Sequence, residues 1–218
     1  MNRGATISDR YQAILNINKV VLGKSSIEQV FQGLCKVLRE LMAFQRAGLA
    51  IYDRERDALR IQALFGPHKN SVFHVGYLLA RDSSQSGWVL VHKTPTIRGD
   101  LSKEVSFPSE QQQFYEGYRS MCSVPLVIRG SGLGAVTIVG TERNQFSLLQ
   151  ASLLREMSDQ ISLAVAWMLC SCTVHPQTRL MCPRCIGAAG GKTTVLRHRE
   201  ALSSWGKQGG RGHKKPNS

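Results

Sequence analysis

Long apolar runs are missing from this 218-residue chain. The longest, ISLAVAWMLC at 161–170, falls well short of the ~18 residues that span a bilayer, so it reads as a buried helix face and no membrane partner is expected. The opening MNRGATISDR has no apolar core of the kind a secretory signal carries, and a cytoplasmic setting with reduced thiols is the expectation. Acidic residues are scarce: 15 Asp and Glu stand against 28 Lys and Arg, a net charge of +13. Catalytic signatures are absent as well. No G-x-S-x-G elbow, P-loop or H-E-x-x-H occurs. Asp53, Asp57, Asp82 and Asp100 stand apart rather than as the paired carboxylates of acid–base chemistry. These absences argue against an enzyme.

What is present suffices for one domain of ordinary size plus an appendage, since 42% of the residues are hydrophobic. The charge is uneven. Residues 1–170 hold 19 basic against 14 acidic side chains, whereas residues 171–218 hold 9 against 1. Before the basic tail, the apolar period changes twice. Tyr11, Ile14, Leu15, Val21 and Leu22 suggest one face of a helix over 8–22. Ser25 and Glu28 form a capping-box pattern ahead of a stripe of Ile27, Val30, Phe31, Leu34, Leu38 and Leu41; Cys35 beside it reads as packed. AGLAIYD and LRIQALFG, joined by the charged RERDA, read as a β-hairpin. A short strand is expected within 72–79, a short helix after Ser83 or Ser84, a strand in PTIRGDL, and another short helix capped by Ser109. A second hairpin turns at Gly130-Ser131-Gly132. A long helix follows the Ser147–Gln150 capping pattern, with Leu149, Leu153, Met157, Ile161, Ala164, Val165 and Met168 as its buried stripe. Helices, then strands, then a closing helix imply an α+β sandwich around an antiparallel sheet.

Four segments carry a family resemblance: IEQVFQGLCKVLRELMAFQRAGLAIYD, SGWVLVHKTPTIRGDL, GYRSMCSVPLVIRGSGLGAVTIVG and FSLLQASLLREMSDQISLAVAWM. In this order, residues 8–169 resemble a GAF domain, most of all those preceding bacterial regulators and histidine kinases. The resemblance implies a central six-stranded antiparallel sheet with helices packed on one face and a ligand pocket on the other. It also implies a homodimer through the terminal helices and a sensory role in signal transduction or transcription regulation, with a small-molecule ligand unknown in identity. Fold alone does not name that ligand. The Asn-Lys…Phe-x-x-x-Asp-Glu pattern of the cyclic-nucleotide subgroup is not met: ERNQFSLLQ reaches Phe146 without an acidic pair. A bilin needs a cysteine in the middle loops, and 66–105 contains His68, His74 and His92 but none. The sulfoxide-reducing subgroup needs cysteines around the pocket, where this core offers Cys35 and Cys122. The candidate ligand contacts are Trp88 for ring stacking, Asp100 as an acceptor and Cys122 facing the cavity. Their alternatives are plain core, a turn cap and a small hydrophobe.

Past the domain, Cys172-x-x-His175 and Cys182-x-x-Cys185 form two ligand pairs six residues apart. Each spacing lets two ligating atoms converge, so one structural zinc ion is the expected occupant of this 170–187 connector. Cys170 is an alternative to His175; inert thiols and a redox pair are the other readings. Residues 188–218 are a basic, Gly-rich tail expected to be largely disordered. Its cationic charge suits nucleic-acid phosphates, held with strong salt dependence and little sequence preference; a solvated tail is the alternative.

Overall fold

Three- and four-residue apolar spacing stops at Leu41, and the alternation that replaces it builds a sheet. The computed structural model describes residues 7–23, 26–67 and 71–168, so the Cys/His cluster (Cys172, His175, Cys182, Cys185) and the basic tail lie outside the described residues. Helices α1 (Ile7–Gly23) and α2 (Ile27–Leu41) precede strands β1 (Arg46–Asp53), β2 (Ala58–Phe65) and β3 (Leu78–Ala80). Then come α3 (Gln85–His92), β4 (Thr96–Arg98), α4 (Pro108–Tyr115), β5 (Ser120–Ile128), β6 (Ser131–Gly140) and α5 (Leu148–Met168). The strands form one antiparallel sheet of six, in the order β3-β2-β1-β6-β5-β4. This is the α+β architecture expected.

Side chains alternate between the two faces of each strand. On one face Leu49, Ile51, Cys122, Val124, Leu126, Val136 and Ile138 meet α1, α2 and α5 in the main core, which includes Ile17, Phe31, Leu34, Met157 and Ile161. Full burial of such a side chain contributes roughly 1.5–3 kcal/mol, so this layer dominates the stability. On the other face Ala50, Leu59, Ile61, Leu64 and Ala135 pack against Phe73, Leu79 and the α3 residues Val89 and Leu90. The long helices thus share one face, and α3 with the 71–79 segment covers part of the other. Strand β2 serves both cores through a bulge. Leu49 pairs with Ala63 but Ala50 with Ile61, which skips Gln62. The extra residue inverts the alternation: Ala63 faces the helices, while Ile61 and Leu64 both face away from them.

Several local expectations shift by a residue or more. The α2 cap is Ser26, whose hydroxyl accepts from Gln29 N at 3.2 Å, not Ser25. Helix α4 begins at Pro108 rather than after Ser109, because proline suits the first helical position; the Glu110 carboxylate accepts from the Ser106 and Phe107 amides at 2.5 and 3.0 Å. The second hairpin turns at Arg129-Gly130, with φ of 48° and 77°, the two positive angles of a type I′ turn. The Ser147–Gln150 box forms as expected, with Ser147 N donating to Gln150 Oε1 at 2.9 Å and Gln150 N to Ser147 Oγ at 3.3 Å. Leu149, expected on the buried stripe of α5, is exposed, and so are Tyr11 and Leu15 of the α1 face.

Candidate functional site

Strand β1 opens with a charge. Arg46 shares the sheet face of Gly48 and Ala50, away from the long helices, and only 3% of it is exposed. An arginine cannot shed its charge, so its burial requires partners. Three come from the segments that cover the sheet. The guanidinium donates to Glu116 Oε2 at 2.6 Å, to Ser71 Oγ at 2.8 Å and to Gln113 Oε1. It also lies over the Tyr118 ring, 4.7 Å from its centroid, with Phe73 at 5.7 Å.

Glu116 completes the cluster. Its carboxylate accepts from the Ser71 hydroxyl at 2.8 and 2.9 Å and from Val72 N at 3.1 Å. Burial pushes this carboxyl up, but the Ser71 hydroxyl and the Arg46 guanidinium outweigh that and hold it below the ordinary glutamate value. The ion pair therefore fastens the 71–73 segment and the end of α4 onto β1. Breaking a pair this buried by removing one partner costs about 3–5 kcal/mol.

Arg46 forms one wall of a cavity of about 50 Å³ on this face of the sheet. Its floor is apolar, from Ala50, Ile61, Leu64, Met121 and Val139, and its cover comes from Phe73, Leu79, Gln85, Ser86, Ser109 and Gln113. Gln85, 1% exposed, donates to Thr96 Oγ1 at 2.7 Å and accepts from Ser123 Oγ at 3.0 Å, which itself bonds Thr137. A groove of about 350 Å³ adjoins it, sharing Phe73, Leu79 and Ser109 with the cavity. At roughly 10–15 Å³ per water, the inner space holds only a few small groups.

None of the three candidate contacts lines this cavity. Trp88 is half-buried on α3 and stacks on His92, with ring centroids 4.1 Å apart. Asp100 caps its own turn: it accepts from Ser102 N at 3.0 Å and Ser102 Oγ at 2.6 Å and pairs with Arg143 at 3.2 Å. The Ser102 contacts and Arg143 hold its carboxyl below the usual range. Cys122 points into the main core toward α5, because even-numbered positions of β5 face the helices; burial pushes its thiol up to about 12. Arg46, Gln85, Gln113 and Glu116 were not anticipated. The one local signal was a cation directly before the apolar run of β1.

An antiparallel six-stranded sheet, backed by long helices and capped over a cavity on its other face, is the architecture of an α+β sandwich. A family model of the GAF domain matches residues 24–166, and the chain belongs to the GAF domain family. Solved structures agree in fold. The GAF domain of a phosphoenolpyruvate-protein phosphotransferase from Coxiella burnetii superposes with a TM-score of 0.65 at 17% identity, covering 74% of this chain and 95% of that one. The GAF domain of a two-component sensor histidine kinase from Bacillus halodurans gives 0.58 at 16%, covering 66% and 95%. Free methionine-R-sulfoxide reductase from Neisseria meningitidis, in complex with its substrate, gives 0.61 at 17%, covering 76% and 96%. Folds of this kind thus include an enzyme. A comparison with curated proteins finds no match. No helix among the described residues is long and apolar enough to cross a membrane.

Proposed function

We propose that this GAF domain is a sensory module that takes a small ligand into the Arg46 cavity and passes the change through the sheet to α1 and α5. The observation that carries this reading is a buried guanidinium in the wall of a cavity whose cover is fastened to it. A space of about 50 Å³ is far below the roughly 300–1,000 Å³ of pockets for drug-sized ligands, so the ligand is a small one, and its binding shifts the domain between two states. The comparisons support regulation, since similar domains belong to a sensor histidine kinase and a phosphotransferase. Exposed Tyr11, Leu15 and Leu163 on α1 and α5 are the surfaces through which a second copy would pack.

The module works without catalysis. Cys35 and Cys122 are both buried, with thiols raised by burial; a nucleophilic thiolate needs the opposite. Native mass spectrometry of gently purified protein, with a thermal-shift screen of small-molecule pools, tests the reading. A monomer whose melting temperature ignores every pool would refute it. The sequence favours two additions in a cytoplasmic setting: a zinc clamp at Cys172, His175, Cys182 and Cys185, and nucleic-acid contact by the tail, which carries 9 basic residues against 1 acidic over 171–218. Elemental analysis should find one zinc per chain, and removal of 171–218 should abolish salt-sensitive DNA binding.

A further inference from the structure

The geometry points to a short-chain carboxylate as the ligand class, bound to the Arg46 guanidinium in exchange for Glu116; this rests on the sensory reading above. A buried guanidinium facing a cavity recognises a planar anion, and a carboxylate matches its fork of N–H groups. The space available, about 50 Å³ beside Arg46, admits only a few non-hydrogen atoms beyond the anionic group itself. The apolar floor of Ala50, Ile61 and Met121 suits a short hydrocarbon chain rather than a second charge.

Glu116 already occupies the guanidinium with a carboxylate of the protein's own, at 2.6 Å. Exchanging one carboxylate for another leaves the buried cation paired throughout, which avoids the penalty of an orphaned charge. Two features let Glu116 leave without Arg46 following. The guanidinium stays stacked over Tyr118 at 4.7 Å. Glu116 itself is the C-terminal cap of α4 and precedes Gly117, which has φ of 95° and open space around it. The far end of α4 is held separately, by Arg98 Nε donating to Glu110 Oε1 at 2.8 Å. Departure of Glu116 thus frees Val72 N and leaves Ser71 held to β1 by Arg46 alone, which loosens the cover from one end.

The test titrates full-length protein with propionate and butyrate at constant ionic strength, with chloride as the control anion, by calorimetry and by amide chemical shifts. Glu116→Gln removes the internal competitor and keeps its shape, so it should bind butyrate at least about tenfold more tightly than the parent, with shifts at Ser71, Phe73 and Gln113. The double variant Arg46→Gln/Glu116→Gln carries no unpaired charge, should fold, and should bind neither acid. Equal affinity in parent and Glu116→Gln, retained binding in the double variant, or binding without shifts at those amides would each overturn the proposal. A pool ligand that stabilises the protein while both acids fail would sink the carboxylate assignment and leave the sensory reading standing.

Discussion

Gly87 lies in the first turn of α3, where the helix meets the main chain of Arg81. A Cβ at this position would lie 1.8 Å from Arg81 O and 2.5 Å from Arg81 C. These are backbone atoms, which cannot swing aside as a side-chain end does. Intrinsic propensity argues the other way, because alanine is favoured over glycine in a helix by about 1 kcal/mol. Overpacking a tight contact costs about 1–3 kcal/mol, and so close an approach belongs at the upper end. Gly87→Ala should therefore destabilise the domain by about 2 kcal/mol net, or about 4–8 °C in melting temperature for a chain of this size. Urea unfolding followed by far-UV circular dichroism measures it. Gly76→Ala is the matched comparison: it has open space but φ of 93°, so it suffers only the left-handed strain of about 1–2 kcal/mol. The Gly87 substitution should also move Gln85 and open the cavity cover. A Gly87→Ala protein as stable as the parent would refute the claim that α3 is set by this backbone contact.

Glu110 of α4 is fully buried and paired with Arg98, whose side chain is 22% exposed; Glu110→Ala should cost about 3 kcal/mol in urea unfolding, the low end for a buried pair. Burial raises the Cys122 thiol from 9.0 to about 12 and the Cys35 thiol as well, so the folded state holds protons that the unfolded chain releases. Stability should fall as pH rises from 9 toward 12, by up to about 1.4 kcal/mol per pH unit for each thiol, and Cys122→Ala should flatten that slope; an unchanged slope would contradict the buried placement. Glu116 is shifted the opposite way. Its stabilising contribution is present above the ordinary glutamate value of 4.5 and is lost as pH falls below it, and Glu116→Gln should remove that part of the acid sensitivity in thermal melts. If a second copy packs on α1 and α5 as proposed, the parent should sediment as a dimer and Leu163→Glu, on the exposed face of α5, as a monomer of unchanged helix content.

Patterns decided within one turn or one strand pair were legible in the sequence, and patterns decided across the sheet were not. The α5 capping box depends on residues three apart, and it formed where Ser147 and Gln150 placed it. The start of α4 went to Pro108, one residue before the expected Ser109 cap, because proline's fixed φ outweighs a serine hydroxyl there. Periodicity found the buried α2 face, whereas on α1 Tyr11 and Leu15 share an apolar stripe yet remain exposed; spacing marks an amphipathic face, and only the tertiary arrangement decides what covers it. The cavity lies at the far end of this scale. Trp88, Asp100 and Cys122 were chosen by residue chemistry, but the pleat turns Cys122 toward the helices and Ser102 claims Asp100. Arg46 and Glu116 stand 70 positions apart in the chain. They meet because Arg46 pairs with Val139 on β6 while α4, capped by Glu116, is drawn over the same face. A cation at the head of an apolar strand announces that some anion must come to it, since the alternative is a buried unpaired charge. Which carboxylate answers is set by strand order, and so the partner of Arg46 has no trace in the local stretch of sequence around it.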